Sequence, residues 1–355
     1  MKEQANYTVT GDNNMISILD KNYFCFTGRI LEINGSPCLG YTNSSLEFYV
    51  KASTSGTKIT AQIGTNPAEE IDQARLKVFL DDSSVPENLF ILAKETEEFT
   101  LAQIDDNELH KITLLKITEV SKSYAQINNI DVINGELLPL PSRMDNRLKA
   151  EFIGDSITCG YGVYGAPDAE YHIKDEDGTK AYAYLTAKAL DLNARYFSVS
   201  GFGALLRWDG DPEGNIPKVY PYTNYFFNKI EKYDFKEFIP DLFIINLGTN
   251  DSYHLENEEI RKGFQANYIW LLKFIKSYAP DSKILCICGT MCTNAFQYIE
   301  KAVNQAKAEG LAELYTMEFP YHDIINDGMS GGHPTITTHR KNADQLIGKI
   351  KEILS

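Results

Sequence analysis

Apolar and polar residues alternate along the first part of the chain with the two-residue period of half-buried β-strands. In residues 46–52 every second side chain is apolar: Leu46, Phe48, Val50 and Ala52. The same period recurs at 76–80 and 112–117, and runs rich in Asn, Asp, Gly, Pro and Ser separate the predicted strands. Many short strands at this spacing predict a jelly-roll-like β-sandwich.

The pattern changes after residues 137–143, a proline-containing segment that we interpret as a linker. Nearly continuous apolar runs follow, as expected for strands covered on both faces, at 150–153, 195–199, 242–247, 284–288 and 314–319. Amphipathic helices are predicted over 257–278 and 337–354. We therefore expect a β-sandwich domain over 1–145 and a three-layer α/β/α domain over 146–355, with a five-stranded parallel sheet.

Four short segments follow strand ends or precede the last helix: Gly154-Asp155-Ser156, Ser198-Val-Ser-Gly-Phe-Gly203, Gly248-Thr249-Asn250-Asp251 and Gly331-Gly332-His333-Pro334. Ligands of open α/β sheets bind at the carboxyl ends of the strands. Acyl transfer requires a nucleophile, a base and donors aimed at the developing oxyanion. Ser156 and His333 are candidates for the first two. The N–H groups of Ser156 and Gly201 and the Asn250 amide are candidate donors.

Each of these residues also has a purely structural interpretation. Ser156 can cap a helix, and Gly201 can simply permit a tight turn. Asn250 and Asp251 can form a helix cap or an Asx-turn, and His333 can be an exposed residue at a helix start. The catalytic hypothesis is favoured because all four segments occur together in this order along the chain, and each is expected at the edge of the sheet where ligands bind.

Composition and charge narrow the classes of partner. The 355 residues carry a net charge of −15, which argues against nucleic acid and anionic membranes and is compatible with a neutral polysaccharide or ester. The spacing of the six cysteines does not indicate a metal site, and we expect no metal and no cofactor. The first residues lack an apolar signal stretch, so we expect a cytoplasmic protein, or a secreted one if a signal has been removed.

The four segments resemble the blocks of the SGNH (GDSL-type) hydrolases, which are named for a Ser, a Gly, an Asn and a His. The matching positions are Ser156, Gly201, Asn250 and His333, and the resemblance spans roughly residues 148–355. It implies a serine esterase in which Ser156 and His333 are catalytic. It also implies an oxyanion hole formed by the N–H groups of Ser156 and Gly201 and by the Asn250 amide.

Two longer stretches and the order of the domains resemble carbohydrate esterase family 2. The stretches are 152–162, Phe-Ile-Gly-Asp-Ser-Ile-Thr-Cys-Gly-Tyr-Gly, and 333–339, His-Pro-Thr-Ile-Thr-Thr-His. Members of that family join a jelly-roll domain to an SGNH domain and remove acetyl groups from plant polysaccharides. The resemblance therefore implies an acetyl esterase for substrates such as xylan or glucomannan.

The sequence departs from the usual SGNH pattern at one point. An Asp that orients the imidazole usually lies two or three residues before the His, but those positions hold Gly331 and Ser330. The nearest acid, Asp327, lies six residues back. We therefore predict a Ser-His dyad in which a backbone carbonyl within 330–332 accepts a hydrogen bond from Nδ1 of His333, as some family members are thought to use.

Residues that follow the catalytic segments are candidates for sugar binding. Tyr161, Trp208 and Asp251 are the predicted substrate contacts, although Asp251 can instead cap the next helix. The loop over 209–228 adds several aromatic residues, which either line the cleft or pack among themselves. His339 is expected to pack or cap within the last helix.

Two alternatives remain beside the acetyl esterase. One is an SGNH acylhydrolase for lipids or thioesters, which calls for an apolar acyl tunnel. The other is a carbohydrate-binding protein with incidental turnover, which an intact Ser/Gly/Asn/His set disfavours. The sequence leaves the oligomeric state, the polysaccharide and the hydroxyl position open.

Overall fold

The computed structural model describes residues 7–9, 15–141 and 145–355. The chain divides into two compact units, Met1–Met144 and Asp145–Ser355. In the part of the chain that is described, every helix is too short or too polar to traverse a bilayer.

The first unit is built from antiparallel strands. They are β1 (Tyr7–Val9), β2 (Met15–Ser17), β3 (Cys25–Thr27), β4 (Ile30–Ile33), β5 (Ser36–Leu39), β6 (Ser45–Lys51), β7 (Thr57–Gly64), β8 (Arg75–Leu80), β9 (Asn88–Ile91), β10 (Thr96–Ile104), β11 (Leu109–Lys116), β12 (Ala125–Ile133) and β13 (Glu136–Leu138). A single 3₁₀ turn, Glu70–Asp72, lies between β7 and β8.

β1 and β2 pair with each other, and the other strands form two sheets that enclose one core. One sheet has the order β10-β7-β12-β5-β4, and the other has β13-β6-β11-β8-β9, with β3 also paired to β6. The alternating apolar residues predicted from the sequence, such as Phe48, Leu76 and Ile112, are fully buried between the sheets, where they meet Ile59 and Ile127. The predicted β-sandwich is confirmed, because each strand buries one face, as the two-residue period requires.

The predicted linker begins later than the sequence indicates. Leu137 and Leu138 belong to β13, which pairs with β6 through the contact of Leu137 with Val50. The pattern analysis missed this strand because it is three residues long and is followed by Pro139 and Pro141. The end of the predicted linker, 142–143, lies outside the described residues.

The second unit alternates strands and helices. Its strands are β14 (Lys149–Gly154), β15 (Asn193–Ser198), β16 (Tyr222–Asn224), β17 (Asn228–Lys232), β18 (Leu242–Asn246), β19 (Lys283–Cys288), β20 (Leu314–Glu318), β21 (Met329–Ser330) and β22 (His333–Pro334). Its helices are α1 (Ser156–Cys159), α2 (Tyr182–Ala189), α3 (Ile216–Val219), α4 (Glu258–Tyr278), α5 (Phe296–Ala308) and α6 (Ile336–Leu354). Short 3₁₀ turns lie at Ile173–Asp175, Gly178–Lys180, Phe235–Glu237 and Asp251–Tyr253.

Five strands form the predicted parallel sheet, in the order β15-β14-β18-β19-β20. Phe152, Ile244 and Leu285 pack against α2 and α6 on one face, while the alternate residues, such as Ile245 and Cys286, are buried on the other. On that other face α5 contacts β19 and β20 and also packs against α4. The three-layer fold is thus confirmed, and burial of both faces explains the continuous apolar runs.

The strand order positions the candidate site. The chain passes from β14 to β15 on one side and then returns across β14 to β18 on the other. Connections that leave in opposite directions open a crevice at the carboxyl ends of the strands, where ligands of such sheets bind. Ser156 follows β14 directly and therefore lies at this crevice.

Candidate active site

Ser156 is the first residue of α1, and the preceding aspartate caps this helix. Asp155 Oδ1 accepts a hydrogen bond from the N–H of Ile157 at 3.0 Å. The alternative interpretation, in which Ser156 caps the helix, is therefore wrong. Its hydroxyl is left for another partner.

That partner is His333, 177 positions further along the chain. Ser156 Oγ lies 2.8 Å from His333 Nε2, and His333 Nδ1 lies 2.9 Å from the carbonyl oxygen of Gly331. A carbonyl oxygen can only accept, so Nδ1 carries the hydrogen and the neutral ring presents its Nε2 lone pair to the serine hydroxyl. The geometry is that of a nucleophile beside its base.

Burial keeps the imidazole neutral over most of the pH range. It lowers the pKa of His333 from 6.5 to about 4, and the hydrogen bond to Gly331 opposes this shift. Asp327, the nearest acid in the sequence, is directed elsewhere, because both of its carboxylate oxygens accept hydrogen bonds from Lys341 Nζ, at 2.6 and 2.7 Å.

Two backbone donors at the site have no acceptor. Among the described residues, no oxygen accepts a hydrogen bond from the N–H of Ser156 or of Gly201. Gly201 adopts a φ of +79°, a conformation that favours glycine. These N–H groups can therefore receive a developing negative charge without breaking an existing bond.

The Asn250 side chain is held in the site but is already hydrogen-bonded. Its Nδ2 donates to the carbonyl oxygen of Phe202 at 2.9 Å and to Asp155 Oδ2 at 3.3 Å. It makes no cap for the following 3₁₀ turn, so the structural interpretation offered by the sequence does not hold. Asp155 thus joins the nucleophile helix to Asn250, a link that the sequence analysis missed. In the sequence, the pair Asp155-Ser156 indicates only a helix cap.

The two aspartates behind the site are buried and resist ionisation. Burial raises the pKa of Asp155 to about 7, and the charge of Asp251 adds to the shift. Burial also raises the pKa of Asp251. The Asp155 carboxyl therefore titrates near neutral pH while accepting its two hydrogen bonds.

Asp251 does not lie where a substrate can reach it, which corrects the sequence-based prediction. Its side chain is fully buried. Oδ2 accepts from the N–H of Ala204, and Oδ1 accepts from those of Leu205 and Leu206, at 2.8–2.9 Å. Asp251 thus fixes the backbone just after Gly201 instead of capping its own helix.

Tyr161 also departs from its predicted role. It is 2% exposed, and its hydroxyl donates to the carbonyl oxygen of Glu170 at 3.2 Å. Its ring packs edge-on against the imidazole of His333, with centroids 4.4 Å apart. The ring has almost no surface to offer a sugar, so the expectation of a substrate contact is corrected.

Trp208 is the predicted substrate residue whose side chain is accessible. The residue is 59% exposed, and its backbone N–H donates to the carbonyl oxygen of Gly201 at 3.1 Å. A Cβ at Gly201 would lie 3.1 Å from Trp208 Cδ1, so the indole packs directly on the glycine. An exposed aromatic face therefore adjoins a candidate oxyanion donor.

The aromatic residues of the 209–228 segment pack largely among themselves. The segment contains α3 and β16 instead of a continuous loop. Tyr220 is fully buried, where its ring contacts Phe197 and Phe235. Tyr225 packs against Tyr222 and Phe226. The self-packed alternative is therefore the one that the structure has.

Two other histidines near these segments form hydrogen bonds with the backbone of neighbouring residues. His254 Nε2 lies 3.1 Å from the carbonyl oxygen of Trp208. His339 is fully buried in α6, and its Nδ1 accepts from the N–H of Tyr182 at 3.2 Å, as its predicted packing role requires. Within the described residues, no group of three or more His, Cys, Asp or Glu side chains is arranged to hold a metal ion.

Comparison with protein families assigns both units. Residues 152–346 match the GDSL-like Lipase/Acylhydrolase family. The chain belongs to this family. Residues 26–141 match the Carbohydrate esterase 2 N-terminal domain. The suspected relationship is thereby confirmed, and the chain is an ester hydrolase with the two-domain architecture of family 2 carbohydrate esterases.

Individual relatives agree with this assignment. The cellulase/esterase CelE of Acetivibrio thermocellus is 32% identical over 251 residues, which are 69% of this chain but only 30% of that protein. An acetylxylan esterase / glucomannan deacetylase of Cellvibrio japonicus is 25% identical over 91% of this chain and 88% of its own. A family two carbohydrate esterase from Clostridium thermocellum, solved with cellohexaose, is 28% identical, with a TM-score of 0.83 over 93% of this chain and 99% of that one.

Proposed function

We propose that this esterase removes O-acetyl groups from plant polysaccharides or their oligosaccharides, such as acetylated xylan and glucomannan, through an acetyl-serine intermediate. The observation that carries the proposal is the 2.8 Å contact between Ser156 Oγ and His333 Nε2, with Nδ1 held by a carbonyl oxygen. The names of the relatives from C. japonicus and A. thermocellus support this substrate class.

In the proposed acylation step, His333 Nε2 removes the proton of Ser156 as Oγ bonds to the acetyl carbonyl carbon. The carbonyl oxygen becomes an oxyanion that the N–H groups of Ser156 and Gly201 stabilise. Asn250 can contribute only by sharing an amide hydrogen that it now donates to Phe202 or Asp155. The tetrahedral intermediate then collapses, and His333 returns the proton to the departing sugar oxygen.

Deacylation repeats these steps with water. His333 removes a proton from water as its oxygen bonds to the acetyl carbon, the Ser156 Oγ–carbon bond breaks, and the proton passes to Oγ. Acetate leaves and the free enzyme is restored. The dyad works without an acid partner because a neutral imidazole, already in the correct tautomer, is the form that the reaction requires.

Acetate release from acetylated xylan and glucomannan tests the substrate class. We expect release from both, and we expect a chromogenic acetyl ester to react on the order of 100-fold faster than its octanoyl counterpart, because a site built for a methyl group excludes longer chains. Equal or faster octanoyl turnover would favour a lipase-like enzyme. Glycan binding without acetate release would favour a carbohydrate-binding protein.

Trp208 is expected to bind the sugar. Trp208→Ala should raise KM for acetylated oligosaccharides about 3- to 10-fold, since an aromatic contact contributes roughly 0.5–1.5 kcal/mol beyond its buried area. The effect on a small acetyl ester without a sugar should be under about 2-fold. Steady-state kinetics on both substrates check this.

Trp270→Ala is the matched control, because Trp270 lies on α4, where its ring stacks on Phe274. Trp208→Phe should retain much of the affinity, since it preserves an aromatic face. An equal loss of kcat on both substrates with Trp208→Ala would show instead that the indole supports the Gly201 backbone and does not bind sugar.

A further inference from the structure

His333 is held in place without a carboxylate. Gly331 supplies the acceptor for Nδ1 at 2.9 Å, and the Tyr161 ring lies against the imidazole at an interplanar angle of 83°. Among the described residues, no acidic side chain bonds to the imidazole. The hydrogen bond to Nδ1 fixes the tautomer, but this bond and the contact of Nε2 with Ser156 lie at the two nitrogens and leave the faces of the ring unsupported.

Tyr161 is fixed on several sides. Its N–H donates to the carbonyl oxygen of Ser156 at 3.0 Å, which ties its backbone to the nucleophile turn. Its hydroxyl donates to the carbonyl oxygen of Glu170, and Tyr171 stacks on its ring with centroids 4.6 Å apart. The tyrosine therefore spans the distance from the nucleophile turn to the base as a rigid unit.

Tyr161 also occupies the space that an acidic side chain at position 331 would need in order to reach the imidazole. Gly331 adopts a φ of +51°, and its N–H donates to the carbonyl oxygen of Ala166 at 2.9 Å. A Cβ at Gly331 would lie 3.1 Å from the carbonyl oxygen of Ala169 and 3.2 Å from the Tyr161 hydroxyl. Both the backbone conformation and the surrounding atoms therefore oppose a side chain at this position.

We propose that Tyr161 is a positioning residue for His333: with the Gly331 carbonyl, it orients the imidazole toward Ser156 in the way that a buried carboxylate does in a three-residue system. This inference rests on the proposed Ser156–His333 dyad. The ring limits the tilt of the imidazole and excludes water from one side of it. The chain thereby replaces an electrostatic orienting group with a steric one.

Other titratable groups act on this pair and are retained in every variant below. They are His322, which acts on His333 by charge, His339, on which His333 acts by charge, and Asp175 and Glu176, which act on the Tyr161 hydroxyl. A change confined to the Tyr161 variants therefore reports on the ring itself.

Tyr161→Leu is the principal test, measured with a small acetyl ester. We expect kcat to fall about 10- to 100-fold, because misplacement of a catalytic group by about 1 Å costs on that order. KM should change by less than about 2-fold, since the buried Tyr161 ring has almost no surface to offer a substrate. The acid limb of kcat/KM should move to higher pH, because water admitted beside His333 stabilises its charged form.

Two further variants separate positioning from folding. Tyr161→Phe keeps the ring but not the hydroxyl bond, so its acid limb should stay in place and its kcat should fall less than that of Tyr161→Leu. Tyr196→Leu removes another buried ring, one that stacks on Phe152, and is the matched control. It should lower the melting temperature without moving the acid limb.

The outcomes distinguish this inference from the dyad itself. If Tyr161→Leu folds and keeps both kcat and its acid limb while His333→Ala is inactive, the positioning role is overturned and the dyad stands. If His333→Ala remains active, the dyad fails and the inference fails with it. If Tyr161→Leu and Tyr196→Leu lose kcat equally with unchanged limbs, Tyr161 is only structural.

Gly331→Asp gives an independent test. An orienting acid introduced two residues before the base would be expected to help a dyad that lacks one. We expect the reverse, a decrease in kcat of about 10-fold or more, because the side chain has no room without displacing Tyr161. An increase in kcat with Gly331→Asp would contradict the inference.

Discussion

Ser156→Ala is expected to lower kcat for acetate release by at least about 10⁴-fold, the scale on which loss of a catalytic serine acts in serine hydrolases. No other group in the described site can replace Oγ at the carbonyl carbon, because the hydroxyl alone lies 2.8 Å from His333 Nε2. KM for acetylated oligosaccharide should change little, since the serine contributes to the transition state more than to sugar binding. Acetate release under saturating substrate measures the effect.

Ser277→Ala, an exposed position on α4 whose hydroxyl bonds to the carbonyl oxygen of Phe274, is the matched control and should be fully active. A serine-directed phosphonate should add one label to the wild-type enzyme, at Ser156, and none to Ser156→Ala. The proposed mechanism is wrong if Ser156→Ala keeps more than a few per cent of wild-type turnover, or if the label maps to another serine.

Periodicity was sufficient to predict the architecture because burial dictates it directly. Strands such as β6 have one buried face and alternate, whereas β18 is buried on both faces and is continuously apolar. Short elements such as β13 and α3 were not predicted, because three or four residues do not establish a period. In those places pairing with distant strands, or packing of the surrounding loop, determines the structure.

The meeting of the candidate site residues was predictable for a different reason. The strand order brings the carboxyl ends of β14, β15 and β18 together, so residues just beyond them must meet at one edge. Ser156 and His333 are in contact there, although they are 177 positions apart in the sequence and sequence order alone does not predict their distance in space.

What a side chain does at that edge was less predictable, because its rotamer depends on neighbours from other segments. Asp251 and Tyr161 both follow catalytic segments, and both were expected to meet the substrate. Each is buried instead, one under the backbone of 204–206 and the other under His333. Trp208 differs from both. Its backbone N–H donates to the carbonyl oxygen of Gly201, and its side chain remains exposed at the surface.

The buried groups also show how a site of this kind can lack an acid beside the base. Asp155 and Asp251 lie behind the candidate oxyanion donors, where they accept hydrogen bonds from Ile157, Asn250 and the 204–206 backbone. Both carboxyl groups hold these donors in place. His333, by contrast, contacts a carbonyl oxygen and a ring, so in the proposed mechanism no carboxylate lies beside the carbon that Ser156 would attack.

His333→Ala is expected to lower kcat by about 10⁴-fold, as loss of the general base does in related mechanisms, whereas Asp327→Asn should leave it within about 2-fold of wild type. The contrast follows from their contacts, since His333 reaches Ser156 while Asp327 is occupied by Lys341. Added imidazole should restore part of the activity of His333→Ala, because it can occupy the vacated space as a base. A loss of activity with Asp327→Asn as large as that with His333→Ala would replace the dyad with a triad.

The pH dependence of the wild-type enzyme tests the same base independently. Only the neutral imidazole accepts the serine proton, so kcat/KM should rise with pH as His333 deprotonates and reach its plateau above that midpoint. Burial lowers this pKa to about 4, which places the acid limb well below the 6.5 of an exposed histidine. Asp327→Asn should leave the limb in place, and imidazole-rescued His333→Ala should show instead the limb of free imidazole, near pH 7. A wild-type limb at or above pH 6.5 would mean either that the base is more solvated than its contacts with Gly331 and Tyr161 allow, or that the limb belongs to Asp155, whose pKa burial raises to about 7.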